Sequence, residues 1–169
     1  QMRDELVAEA LINCTLRKVK VELILEENPY KHDFNQDDSQ EMILPRLLAA
    51  GVIVHNRPGY LKDEHPKGHY HARYILIDSK RLLLTTGNFD ECTFDHCTDF
   101  AVCFNRKDFP AEFEAIQTLF GKDANNELLS DSIPCSVIIG PNHQREKIIA
   151  FLNTATRNIK LYQQYFNDP

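Results

Sequence analysis

Two strand-length apolar runs joined by a tight turn constrain this chain more than any other feature. HYHARYILID, residues 69 to 78, and RLLLTTGN, residues 81 to 88, carry blocks of Tyr, Ile, Leu and Thr, with only Ser79 and Lys80 between them. Runs of that length, so closely joined, predict a β-hairpin.

Around the hairpin the pattern alternates between helix and strand. Residues 4 to 15, DELVAEALINCT, put Leu6, Ala10 and Leu11 on one helical face, and VKVELILEE then alternates as a half-buried strand does. Residues 28 to 38 are polar and read as a loop. SQEMILPRLLAAG predicts a helix capped near Ser39 and stopped at Gly51, with Pro45 kinking it or marking its first turn, and VIVH follows as a strand. A second loop runs from Arg57 to Gly68. Beyond the hairpin, DFAVCF (residues 99 to 104) predicts a strand, and Phe109, Phe113, Ile116, Leu119 and Phe120 predict an amphipathic helix ended by Gly121. The polar stretch that follows reads as a linker; CSVIIGP then reads as a buried strand, residues 142 to 156 as a helix, and NIKLYQQYF as a strand in which Tyr162 and Tyr165 belong to the core or a pocket wall. The fold class this predicts is α/β, a mixed β-sheet flanked by helices on both faces.

No apolar run approaches the roughly 20 residues that a membrane-crossing helix needs. A net charge of -6 argues against a surface built throughout for nucleic acid. The stretch from Arg57 to Arg81 nevertheless holds Arg57, Lys62, Lys67, Arg73, Lys80 and Arg81 against three carboxylates, a balance suited to an anion. Five cysteines without a CxxC pair argue against a disulfide framework and favour a reducing cytoplasm or a membrane periphery.

The chemistry concentrates in the hairpin. In an extended strand residues i and i+2 share a face, so His71 and Arg73 can meet one phosphate, and Asn88 on the returning strand can reach the same anion. A neutral imidazole can attack phosphorus while a guanidinium neutralises the charge that builds on the equatorial oxygens.

From His71 the sequence reads H-A-R-Y-I-L-I-D, six residues, then T-T-G-N. This resembles the His-x-Lys, Asp, Gly-Ser-x-Asn motif of the phospholipase D superfamily with every spacing kept. Thr93 falls at the Ser or Thr that follows the Asn, and Asp99 at the family's downstream acidic position. The resemblance implies a phospholipase D-like fold and phosphodiester hydrolysis or transfer on phospholipids through a phosphohistidine, as in cardiolipin synthase-like members, without metal or cofactor. It implies His71, Arg73 and Asn88 as catalytic residues, with Asp78, Thr86, Thr93 and Asp99 in support. Nuclease activity is the alternative within the superfamily. The family's active site uses two motifs and this chain carries one, so a second motif-bearing module, in the same protein or in a homodimer, is the expected partner. One copy alone is expected to be inactive.

Arg73 stands where the family has Lys, and Thr85 and Thr86 stand where Gly-Ser is usual. A binding or scaffold module without turnover is the reading these departures favour. Two metal readings compete as well: His65, His69 and His71 with Asp78, and Glu91, Cys92, His96 and Cys97. The first lacks the separated ligand pair of common zinc sites, and the second reads better as a polar loop after the motif. Asp78, beside a turn, suits capping or pairing with a base, and Asp99 suits holding a histidine tautomer.

Residues 1 to 121 are thus expected to be most of one module, 122 to 134 a linker, and 135 to 169 either the start of a second module or the completion of the first by permutation. By the resemblance, joining Pro169 to Gln1 restores a module's element order, and the simplest explanation is a sequence that spans the middle of a two-module protein, starting partway into the first module and stopping partway into the second.

Overall fold

Strands β1 (Glu22–Glu26) and β2 (Ile53–Arg57) run parallel, in register from Glu22 opposite Ile53 to Glu26 opposite Arg57. Parallel neighbours need a crossover, and helix α2 (Ser39–Ala49) supplies it. These elements come from a computed structural model, which describes residues 3–26, 39–57, 70–127, 133–140 and 143–162.

Helix α1 (Glu5–Leu16) precedes β1 and is capped by Asp4, whose carboxylate accepts from the Val7 amide at 2.8 Å. Ala8, Leu25, Ile43, Leu47 and Val52 form the core of this layer. Ile43 and Leu47 lie one turn apart on α2, and burial of each contributes roughly 1.5–3 kcal/mol. Leu6, expected on the core face of α1, is 75% exposed. The side that packs carries Val7, Ala8, Leu11 and Ile12, two i, i+4 pairs that form a stripe Leu6 does not share. Pro45 has helix on both sides of it.

Strands β3 (Tyr74–Ile77), β4 (Arg81–Thr85) and β5 (Ala101–Asn105) form an antiparallel sheet in the order β3-β4-β5. The Lys80 amide donates to the Ile77 carbonyl at 2.9 Å across the hairpin turn. The turn's central residues, Asp78 and Ser79, both have φ near +50°, the mirror-image form whose twist matches the flanking strands. The turn therefore opens one residue earlier than the sequence suggests. Between β4 and β5 a short helix, α3 (Glu91–His96), is capped by Asp90 where a loop was expected.

Helix α4 (Pro110–Ala124) buries Phe113, Ala115 and Ile116 and contacts β2 and β5. Gly121 does not end it: a helical glycine costs about 1 kcal/mol, which the burial of Phe113, Ala115 and Ile116 ahead of it outweighs. Residues 122 to 124, expected in the linker, therefore belong to α4. The α/β architecture, with parallel and antiparallel pairing flanked by helices, is the class the sequence predicts.

Residues 1 to 128 form one unit and residues 129 to 169 a second. The second contains helix α5 (Gln144–Leu152), inside the predicted helix. Residues 133–140 are irregular where a buried strand was expected, and 158–162 are irregular and exposed, with Tyr162 at 73% exposure. Apolar composition alone does not make a strand; its backbone needs a partner, and among the described residues this unit holds no other strand. Tyr165 and the rest of the last predicted strand lie outside the described residues. No described helix is long and apolar enough to cross a membrane.

Asp123, near the end of α4, is 8% exposed, and burial pushes its carboxyl up to about 6 while Arg57 pulls the other way. Burial and the Asp123 charge likewise raise the Tyr74 hydroxyl. A folded-state value above the unfolded one means that the native state holds the proton more tightly. This group's contribution therefore favours folding below about pH 4, and is lost as pH rises through about 6. Asp123→Asn is expected to raise stability at pH 7 by up to about 3 kcal/mol and to leave it unchanged at pH 4. Urea unfolding of both proteins at the two pH values measures this; equal stability at pH 7 would contradict it.

Candidate active site

The motif strand enters from Tyr70, passes His71, Ala72 and Arg73, and becomes β3 at Tyr74. His71 to Arg73 are outside the regular ladder, although the Thr85 amide still donates to the Arg73 carbonyl at 3.0 Å. That bond keeps the segment extended enough for His71 and Arg73 to meet side by side, the i, i+2 relation expected from the sequence.

Arg73 organises the site. Its Nε donates to Asn88 Oδ1 at 2.6 Å, and its Nη1 donates to the Thr86 carbonyl at 3.2 Å. Its Nη1 and Nη2 lie 3.1 Å from His71 Nδ1 and Nε2 respectively. A neutral imidazole has one acceptor nitrogen, and its two nitrogens point apart within the ring plane. At most one of these contacts is therefore a hydrogen bond, and the planar fork reaches both ring nitrogens at once, which an ammonium cannot. Burial lowers the Arg73 pKa, and the carboxylates of Asp90 and Asp99 act against that. The guanidinium stays charged throughout.

Asn88 spends its carbonyl oxygen on Arg73, so its amide nitrogen is the end left to address an anion. The following residue is tied down from afar: the Arg3 and Asp4 amides donate to the Phe89 carbonyl at 2.8 and 3.1 Å. Thr86 and Asp99 come together as well. Thr86 Oγ1 donates to Asp99 Oδ1 at 2.7 Å and accepts from the Phe100 amide at 3.0 Å. Asp99 thus holds the threonine whose carbonyl meets Arg73, and its described hydrogen bond is to Thr86 rather than to a histidine. Thr93 packs its methyl against Gly87, which is buried between Thr93 and Asp99. Thr85 accepts from the Gly87 amide at 3.2 Å, which gives a use to the side chain that stands where glycine is usual.

Asp78 is not brought to this cluster. It sits exposed in the hairpin turn, with the length of β3 between it and His71. Of the competing metal ligands, His65, His69 and the Cys92 side chain lie outside the described residues, while Glu91, His96 and Cys97 are exposed. Among the described residues no group of three or more His, Cys, Asp or Glu gathers as a metal site.

Sequence reasoning missed Asp90, Gly87 and the supports of Tyr70. Asp90 had a local signal, an Asp directly before the Glu-Cys-Thr turn, where it caps Thr93 at 2.8 Å.

The sequence profile of the family described as "Cardiolipin synthase, PLD-like domain" matches residues 1–119. No curated protein matches the chain. Among solved structures, polyphosphate kinase from Porphyromonas gingivalis superposes with a TM-score of 0.60 over 90% of this chain, at 16% identity. The chain spans 24% of that structure's length, and the likeness is one of fold.

Proposed function

The chain belongs to the cardiolipin synthase, PLD-like domain family, and on that premise we propose that it carries one half of an active site that cleaves or transfers phospholipid phosphodiesters through His71. The superfamily supports phosphodiester chemistry in general. The observation that carries the finer reading is the gathering of His71, Arg73 and Asn88 at one point, with the Arg73 cation held beside the imidazole by Asn88 at its Nε.

In this reading a ring nitrogen of His71 attacks phosphorus, and the bond from phosphorus to the leaving alcohol's oxygen breaks. The histidine of a second motif, from another module or a second copy, protonates that oxygen. Water or an acceptor alcohol then attacks the phosphohistidine and gives its proton back to the same base, and His71 leaves. Arg73 and the Asn88 amide neutralise and orient the non-bridging oxygens, whose charge is held best where donors are fixed in advance. The supporting roles of Thr86, Thr93 and Asp99 are to keep the Asn88 turn and the Arg73 fork in place.

A binding module without turnover is the second reading, and the Arg73 contacts to both ring nitrogens favour it, because a lysine would leave one of those nitrogens open to phosphorus. Trapping decides between them. The full protein, quenched during turnover of phosphorus-labelled phosphatidylglycerol, is expected to carry label on the peptide containing His71. Absence of label from an assembled, folded protein would sink the enzymatic reading. Label acquired from single-stranded DNA and not from phosphatidylglycerol would make the protein a nuclease.

A further inference from the structure

Tyr70 immediately precedes His71 and is held at both ends. Its main-chain N–H donates to Glu26 Oε2 at 2.9 Å, and its phenol oxygen accepts from Arg57 Nη2 at 2.6 Å. The Arg57 guanidinium carbon also lies 5.1 Å from the centre of the Tyr70 ring. Glu26 and Arg57 are register partners, the last residues of the parallel strands β1 and β2. The ends of that sheet thus reach across to the motif, one to its backbone and the other to a side-chain tip.

We infer that Glu26, Arg57 and Tyr70 are positioning residues for His71, an inference that rests on the nucleophile reading above. A hold at two separated points fixes both the path and the rotation of the backbone where it enters His71, which a single contact does not do. A cavity of about 150 Å³ borders the segment, lined by Tyr70, Ala72 and Arg73 of the motif and by Glu26 and Asp123 among others. Directional bonds add to packing there a definite position and rotation of the backbone. Arg57 is only 3% exposed, and a buried cation is tolerated where its partners are fixed. Among the described residues its Nε has no hydrogen-bond partner, so the bond to Tyr70 is a large part of what it has.

The test uses the full protein with Tyr70→Phe, Glu26→Ala and Glu26→Gln. Tyr70→Phe keeps the ring under Arg57 and loses only the hydroxyl; Glu26→Gln keeps an acceptor oxygen. With labelled phosphatidylglycerol, Tyr70→Phe and Glu26→Ala are expected to lower kcat about tenfold to hundredfold, with KM within about twofold, and Glu26→Gln to restore most of the loss. The His71 ring-nitrogen NMR signals are expected to shift in Tyr70→Phe while the amide spectrum of the remote core stays in place. Unchanged kcat with unmoved ring signals overturns the inference, and so does a rise in KM at constant kcat, which would put these residues on substrate instead. If the wild-type protein takes no label but the ring signals still shift, positioning stands and the nucleophile reading fails.

Discussion

With His71, the proposed nucleophile, replaced by alanine, the protein is expected to take no phosphate label and to turn over at least about ten-thousand-fold more slowly, because removal of a nucleophile leaves only binding and electrostatic assistance. Arg73→Ala separates the two contributions. It leaves the imidazole, removes the cation beside it and frees Asn88 Oδ1. Loss of one fixed donor at a developing anion typically costs about 10²–10³ in rate, so labelling persists but slows by that factor. Arg73→Lys is the informative intermediate. A single ammonium restores the charge but cannot reach Asn88 Oδ1, the Thr86 carbonyl and both ring nitrogens together, and a loss of about tenfold is expected. Single-turnover labelling of the three variants measures all of this. If His71→Ala still takes label, the nucleophile is elsewhere; if Arg73→Ala labels at the wild-type rate, the guanidinium does not serve the anion.

That site was legible in the sequence to the extent that its geometry is local. His71 and Arg73 are two residues apart on one extended segment, and hairpin pairing returns the chain to Asn88, so run length and turn spacing sufficed to bring the three together. The Thr86–Asp99 bond was half visible: both residues were expected near the site, yet that they hold each other depends on β5 returning beside β4. Glu26 carried no local signal, and Arg57 carried a misleading one, as part of a basic stretch suited to an anion where the structure buries it against Tyr70. Glu26 meets a backbone amide 44 residues further along the chain, and nothing about a glutamate at a strand end announces that partner.

The fold divides in the same way. The hairpin and the β1-α2-β2 unit follow from periodicity and element length, quantities a short window contains. Where the expectation failed, the deciding partner lay outside the window. Leu6 and Ala8 fit a helical stripe about equally well, and the packing of α2 and β1 chooses Ala8. SVII of residues 136–139 has strand composition but no described neighbour to pair with in its unit. Gly121 looks like a stop until the packing of Phe113, Ala115 and Ile116 ahead of it in the same helix is counted.

Gly87 is the residue whose smallest possible enlargement is expected to do the most damage outside the reacting groups. A Cβ there would overlap the Thr93 Cγ2 methyl and come within 3.1 Å of Asp99 Cγ and 3.2 Å of Asp99 Cβ. The need is for room rather than for an unusual backbone angle. Relief requires either α3 to move with Thr93, or residue 87 to shift away from Thr93 toward Asp99, which must then withdraw. If Asp99 withdraws, the 2.7 Å bond to Thr86 breaks, and the Thr86 carbonyl shifts from Arg73 Nη1. Overpacking of this kind costs about 1–3 kcal/mol, and a misplacement of about 1 Å in the fork is worth roughly a hundredfold in rate. Gly87→Ala is therefore expected to lose both stability and turnover. Thr93→Ser identifies the cause, because it deletes the clashing methyl and keeps the hydroxyl. In the Gly87→Ala background Thr93→Ser is expected to recover at least about 1 kcal/mol of stability and much of the rate, although alone it costs a buried methyl contact. Residues in contact couple, and distant ones add. A double-mutant cycle by urea unfolding that gives simple additivity would mean that the Thr93 methyl is not what the glycine makes room for.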